Sequence, residues 1–310
     1  MKHENWNDKD IADQKGKVVI VTGSSSGIGY EAARVLANKN AEVIIAVRDL
    51  DKGNAAEAKI VAQNKNAIIK VMKLDLADLA SVKSFADEFK GRFSRLDRLI
   101  NNAGVMIPPY SKTVDGFELQ FGTNHLGHFA LTSQLFALLA QTVEARVVNV
   151  SSGAHRIGKI AFDDLDWSKR GYSAWGAYGM SKIANLYFTY ELDRRAKAAG
   201  MSLIANAAHP GWTATELQRN TLLARLGNYI FAQDVSMGAL PTLRAAIDPH
   251  TQGSDYFGPS GLMEICGYPV KVSSNALSHD TEIAARLWEV SESLTGGEFA
   301  VTGKIAAASS

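Results

Sequence analysis

A single cysteine, Cys266, occurs in a chain of 310 residues. One thiol excludes an intrachain disulfide and any metal site built on several cysteines, and such sparing use fits a reducing compartment. Cys266 itself is expected to serve as a small hydrophobe. Net charge is lacking too, since 33 Lys and Arg against 32 Asp and Glu leave +1. With no global field to attract nucleic acid or an anionic membrane, neither is expected as a partner. The opening run from Met1 to Asp10 holds no apolar stretch of the kind a signal peptide requires. Polar residues interrupt the apolar runs elsewhere well before the ~18 residues of a membrane span. The expectation is a soluble cytoplasmic protein with no integral membrane segment. Internal repeats and low-complexity tracts are absent as well.

What the chain has is core-forming material, with hydrophobic residues at 46%, enough for one large domain. Short β-branched runs alternate with longer helix-compatible stretches. Strands are predicted at Val18 to Val21, Ala41 to Val47, Ile68 to Met72, Leu96 to Ile100, Arg146 to Val150 and Leu203 to Ala207. Helices are predicted around Glu31 to Leu36, Leu50 to Gln63, Leu79 to Phe89, Phe121 to Leu139 and Ala174 to Ala198. Farther on come Thr213 to Ala232, Met237 to Ile247 and Ile283 to Ser293, with Asp248 to Ser274 rich in Gly and Pro and Val270 to Val272 as a final strand. This alternation argues for an α/β fold, a doubly wound parallel sheet of Rossmann type with helices on both faces. The expected organisation is a polar extension over 1–16, one catalytic domain over 17–300 with a substrate-binding lid within 212–265, and a tail over 301–310.

Chemistry-bearing residues fall at the strand ends, where right-handed crossovers gather loops along one crevice. After the first strand, Thr22-Gly23-Ser24-Ser25-Ser26-Gly27-Ile28-Gly29 reads as a tight turn into a helix N-terminus, able to receive a pyrophosphate. Its spacing departs from G-x-G-x-x-G, and a purely structural glycine turn is the alternative. After the second strand, Val47-Arg48-Asp49 offers a guanidinium where an acidic residue would repel a 2′-phosphate, which favours NADP(H) over NAD(H). The counter-reading turns Asp49 inward and leaves Arg48 as an ordinary surface charge. Asp75 and Leu76 follow the third strand and either face an adenine or cap the next helix. Asn101-Asn102-Ala103-Gly104 follows the fourth, as a cofactor-facing loop or a structural turn. Tyr178 and Lys182, four residues apart, share one helical face, so the ammonium can sit near the phenol and favour the phenolate. Ser151 and Ser152 point to opposite faces and compete for the same position. His125 and His128 lack partners for a coordination sphere, leaving packing or substrate contact, and no metal is expected. His209 reads as a loop residue before Pro210.

In this order, Thr22 to Gly29, Asp75, Asn101 to Gly104, Asn124, Ser152, Tyr178, Lys182 and Pro210-Gly211 resemble the short-chain dehydrogenase/reductase superfamily over roughly Lys17 to Gly211. The runs His125-Leu126-Gly127-His128-Phe129, Ser151-Ser152-Gly153-Ala154-His155 and Thr215-Glu216-Leu217 resemble its retinol-dehydrogenase-like branch. The resemblance implies Tyr178 as general acid/base and Lys182 on the nicotinamide ribose. It also implies Ser152 on the substrate oxygen and Asn124 holding a water that reconnects the lysine to solvent. Gly23, Ser25, Ser26, Gly27, Ile28, Gly29, Arg48, Asp75, Leu76, Asn102, Ala103 and Gly104 would line the cofactor. Pro210-Gly211 would pass beneath the nicotinamide, with Thr213 or Thr215 on its carboxamide or the phosphates. The interval from Ser152 to Tyr178 is 26 positions, about twice the superfamily's common spacing, an enlargement that retinol-dehydrogenase-like members share. Trp212, Leu217, Leu222, Leu223, Leu226, Tyr229, Ile230 and Phe231 would line an apolar pocket, pack as core or lid, or rest on a membrane. The expected activity is NADP(H)-preferring hydride transfer, NAD(H) being the alternative, with an apolar aldehyde, ketone or alcohol. Enone reduction and a nucleotide-binding regulatory protein are the competing readings. Similar proteins form homo-oligomers, for which one sequence gives no subunit count.

Overall fold

The computed structural model describes residues 5–212 and 233–299. The helix expected over 213–232 and the tail over 301–310 lie outside the described residues. Eight strands form one sheet: β1 (Val18–Thr22), β2 (Glu42–Val47), β3 (Ile68–Lys73), β4 (Arg98–Asn101), β5 (Arg146–Val150), β6 (Ile204–Ala208), β7 (Tyr256–Pro259) and β8 (Pro269–Lys271). Their spatial order is β3-β2-β1-β4-β5-β6-β7-β8. Every neighbouring pair is parallel except β7 with β8, which is antiparallel.

The period of two along the strands distributes their side chains between two cores. Ile20, Ile44, Met72, Leu99 and Val147 face one side. There they meet α3 (Leu79–Arg92), α4 (Gly127–Gln141), α5 (Ala174–Ala198) and Trp288 of α7 (Thr281–Thr295). Val19, Val21, Val43, Ile45, Ile100 and Val148 face the other side, under α1 (Gly27–Asn38), α2 (Leu50–Gln63) and α6 (Val235–Ile247). With helices on both faces, the central strands β1, β4 and β5 are buried throughout, while the edge strand β3 alternates exposed and buried residues. Chain order reverses between β1 and β4, which opens a crevice at the carboxyl ends of the strands.

Three features differ from expectation. β7 falls inside the Gly- and Pro-rich interval, because four residues ending at Pro259 are too short to show strand periodicity. The long helix expected from Phe121 is broken: a helical turn at Leu119–Phe121 and a π-helical turn at Gly122–Leu126 precede α4. Before Lys17 the chain is polar in composition, yet Trp6 and Ile11 are buried in the core beneath α1 and α6.

Candidate active site

The carboxyl ends of β1 to β6 border a cleft of about 690 Å³. At one end lies the glycine turn. Gly23 has φ +66°, and a Cβ there would stand 2.8 Å from the Cβ of Ala103. At Gly29 a Cβ would strike the side-chain nitrogen of Asn102 and lie 2.6 Å from the Gly23 carbonyl oxygen. Asn102 is therefore packed into the turn; its Nδ2 donates to the Thr22 carbonyl (2.8 Å). Thr22 Oγ1 accepts the backbone N–H groups of Asn102 and Ala103, each at 2.9 Å. Most helix N-termini carry a side-chain cap: Asp49, Asp78, Ser173 and Asp280 each bond to the first turn that follows. Ser26, at the N-cap of α1, makes no such bond, so the amides of that turn face the cleft without a side-chain acceptor. A glycine cradle with open amides fits the pyrophosphate of a dinucleotide.

Along this end the cleft is lined by Gly23, Ser25, Ser26, Gly27, Ile28, Gly29, Arg48, Asp75, Leu76, Asn102, Ala103 and Gly104. Asp49 turns toward its own helix and accepts the Lys52 N–H (3.1 Å), which leaves Arg48 exposed at the cleft rim. Asp75 accepts from Ala77 N (3.0 Å) in a local turn, while the cap of α3 is Asp78. Capping therefore does not account for Asp75.

The other end is built around α5. Tyr178 and Lys182, one turn apart, are both buried and both line the cleft. Continuing the alternation of β5, Val147, Asn149 and Ser151 share a face, and Ser151 Oγ donates to the Lys182 carbonyl (2.8 Å). Ser152 lines the cleft, its Oγ accepts the Ala154 N–H (3.2 Å), and its hydroxyl draws the Tyr178 phenol's pKa down. Burial outweighs it and pushes the phenol up to about 12. Lys182 Nζ donates to the Val150 carbonyl (3.1 Å) and lies 5.6 Å from the centre of the Tyr178 ring. Burial brings this ammonium down to about 8. The phenolate expected from the four-residue spacing is thus not favoured here, because burial disfavours the charged form of both groups.

Asn124 sits in the π turn, a feature that often marks a functional site. Its Oδ1 accepts Val105 N (2.8 Å), and its Nδ2 donates to the Val105 carbonyl (3.0 Å) and to Ser181 Oγ (3.0 Å). Pro210 and Gly211 line the cleft beyond β6. Thr213 and Thr215 lie outside the described residues, as do Leu217, Leu222, Leu223, Leu226, Tyr229, Ile230 and Phe231; Trp212 is described and lines the cleft.

The long interval before Tyr178 is ordered. A turn at Gly153–Ile157 follows Ser152, and Gly179 lets it approach α5 so closely that a Cβ would sit 2.9 Å from the Ala154 carbonyl oxygen. Buried Gln120 receives Ile107 N (2.9 Å) and donates to Tyr172 Oη and the Ala174 carbonyl, both at 2.9 Å. Sequence spacing carried no signal for Gln120, since its partners lie in two distant segments, the loop after β4 and the start of α5.

His128 also belongs to the site's frame. Its Nδ1 donates to the Asn124 carbonyl (3.0 Å), which leaves Nε2 to accept from Thr22 Oγ1 (2.9 Å). Burial holds it down to about 4, so it is neutral near pH 7. His125 bonds to Ser291 Oγ (2.9 Å) and does not line the cleft. Among the described residues no group of three or more His, Cys, Asp or Glu could hold a metal ion. Two readings need correction. His209 is not a plain loop residue but is buried, with Nε2 2.8 Å from Glu264 Oε2. Cys266 is exposed rather than a core hydrophobe.

Gly29→Ala should force Asn102 and the turn apart and weaken nucleotide binding about tenfold or more, the order of an overpacking penalty, as read by fluorescence titration. Unchanged affinity would count against the cradle. Lys182 offers a second check. Its proton leaves near 8 in the folded chain and near 10.5 when free, so between those values the unfolded chain holds more protons. Stability from this group therefore rises with pH across that window. Melting curves from pH 7 to 10 should show a flatter dependence for Lys182→Met than for the parent; equal slopes would show that Nζ does not titrate there.

Residues 17–225 match the family model of the short chain dehydrogenases. Retinol dehydrogenase 12 of Mus musculus is 47% identical over 287 residues, spanning 91% of this chain and 87% of its own length. The crystal structure of an uncharacterised protein from Mycobacterium paratuberculosis is 44% identical, with a TM-score of 0.81 over 95% of this chain and 99% of that one. RhlG of Pseudomonas aeruginosa, solved as an NADP active-site complex, is 25% identical, with a TM-score of 0.62 over 77% of this chain and 93% of its own. With its glycine turn and its Tyr178–Lys182 helix at the two ends of one crevice, this chain belongs to the short chain dehydrogenase family.

Proposed function

We propose that the protein is an NADP(H)-preferring oxidoreductase that interconverts a largely apolar aldehyde or ketone with its alcohol, using Tyr178 as general acid and base. The class is that of the NAD(P)-dependent short chain dehydrogenases, which act on CH–OH and carbonyl groups. One observation carries the reading: Tyr178, Lys182 and Ser152 line the same cleft as a glycine cradle whose helix amides have no side-chain cap.

A bound dinucleotide supplies or accepts the hydride. In the reducing direction the Tyr178 phenol, kept protonated by burial, gives its Oη proton to the carbonyl oxygen as negative charge develops there. Ser152 Oγ donates a hydrogen bond to the same oxygen. Lys182, held by Val150 at the end of β5, would bind the ribose hydroxyls of the nucleotide and stabilise the phenolate left behind. Asn124, through its hold on Val105, supports the neighbouring loop, and a water carried there would return the proton from solvent. In the oxidising direction the same groups run in reverse.

Preference for NADP(H) rests on Arg48. Its guanidinium stands at the rim while the adjacent carboxylate of Asp49 is turned onto α2, which favours a 2′-phosphate over bare ribose hydroxyls. RhlG, solved with NADP, offers a parallel among relatives. The apolar character proposed for the substrate rests on Met106, Ile157, Trp175, Met263 and Ile265, which line the same cleft. Among the described residues no helix is long and apolar enough to cross a membrane.

With a panel of apolar aldehydes and ketones, NADPH should be consumed with stoichiometric alcohol formation, and Tyr178→Phe should lower kcat by about 10²- to 10⁴-fold. Activity in Tyr178→Phe equal to the parent's would remove Tyr178 from the chemistry; cofactor binding without turnover would favour a binding protein. Arg48→Ala should raise KM for NADPH about tenfold and leave that for NADH unchanged. A parallel change for both cofactors would refute the phosphate contact.

A further inference from the structure

Between β7 and β8 the chain forms a strap from Gly261 to Gly267, closed by Gly261 N–H donating to the Cys266 carbonyl (2.8 Å). Met263 (φ 54°) and Glu264 (φ 57°) both lie in the left-handed region. Two successive non-glycine residues hold that conformation only where their surroundings impose it. The side chain of Glu264 supplies such a hold. Its Oε2 lies 2.8 Å from His209 Nε2, and its Oε1 accepts Arg156 Nη2 at 3.1 Å. Gly211 N–H donates to His209 Nδ1 (3.3 Å), so the ring proton sits on Nε2 and is given to the carboxylate.

Three segments meet at this one carboxylate. His209 ends β6 and leads into Pro210-Gly211; Arg156 belongs to the turn that follows Ser152; Glu264 is the middle of the strap. Met263 and Ile265, on either side of Glu264, line the cleft together with Glu264 and Arg156 themselves, and Met263 is 81% exposed. An apolar side chain so exposed has little packing of its own to fix it, so its place depends on the backbone that carries it.

We propose that Glu264 is a positioning residue which, through His209 and Arg156, sets Met263 and Ile265 as the wall for the far end of an apolar substrate and thereby selects longer substrates over short ones. The proposal rests on the oxidoreductase reading above. On this proposal the wall meets the distal chain rather than the reacting carbon, so its loss acts on KM for long substrates.

The test is NADPH consumption at saturating cofactor with straight-chain aldehydes from butanal to decanal and the matching 2-ketones. The parent is compared with Glu264→Ala, Glu264→Gln and Arg156→Met. In Glu264→Ala the ratio of kcat/KM for decanal to that for butanal should fall about tenfold, through KM for decanal. Arg156→Met, at a half-exposed position where folding is not at risk, should lower the ratio in the same direction by less. Glu264→Gln keeps an oxygen to accept from His209 and should recover part of the loss. An unchanged ratio in both Glu264→Ala and Arg156→Met would overturn the proposal. So would equal losses for short and long substrates accompanied by a lower Tm, the result of a merely structural role. A parent that turns over none of the series would overturn the oxidoreductase reading and this proposal with it; a parent that turns over the series isolates the proposal.

Discussion

Helix α5 is pinned to the end of β5 through Lys182. The lysine's carbonyl accepts Ser151 Oγ and its ammonium donates to the Val150 carbonyl, so backbone and side chain of one residue grip two consecutive residues of the strand end. Tyr178 lies one turn back and inherits its position from that grip. Burying an ammonium without a carboxylate is costly, and the cost appears as the descent of Lys182 to about 8. The same burial raises the Tyr178 phenol to about 12. The site therefore holds a protonated phenol rather than a phenolate at rest.

The rest of the crevice is arranged around this fixed point by polar contacts between segments distant in the chain. Thr22 at the end of β1 receives the Asn102 and Ala103 amides beyond β4 and bonds to His128, whose other nitrogen donates to Asn124. Asn124 in turn clasps Val105 and Ser181. A continuous path of hydrogen bonds thus joins the nucleotide turn to α5. Neutral His128 suits this place, because a charged imidazole buried between a hydroxyl and a carbonyl would lack a compensating anion.

Much of this was legible in the residues themselves. The central strands showed because burial on both faces leaves them mostly apolar, and α5 was read close to its observed ends, Ala174 and Ala198, as a long helix-compatible run. Strand alternation reduced Ser151 and Ser152 to two options without choosing between them; the choice came from the packing of α5 on β5. β7 was missed because its four residues sit among turn formers, and its pairing with β6 and β8 is what makes it a strand. The π turn went unseen for a similar reason, since the contact that Asn124 makes from it to Val105 leaves no trace in local periodicity.

What the sequence by itself determined is the set of local devices: the glycine turn, the Tyr178–Lys182 spacing, the alternation of strands and helices, and through them the family. Each depends on residues within a few positions of one another, where geometry follows from covalent structure and helical or strand repeat. Only the tertiary structure decided the protonation balance at Tyr178 and Lys182, the roles of His128 and Gln120, and the convergence of Arg156 and His209 on the Glu264 carboxylate. Those rest on desolvation and on contacts between segments up to 108 residues apart, and neither is a property of any stretch of sequence read alone.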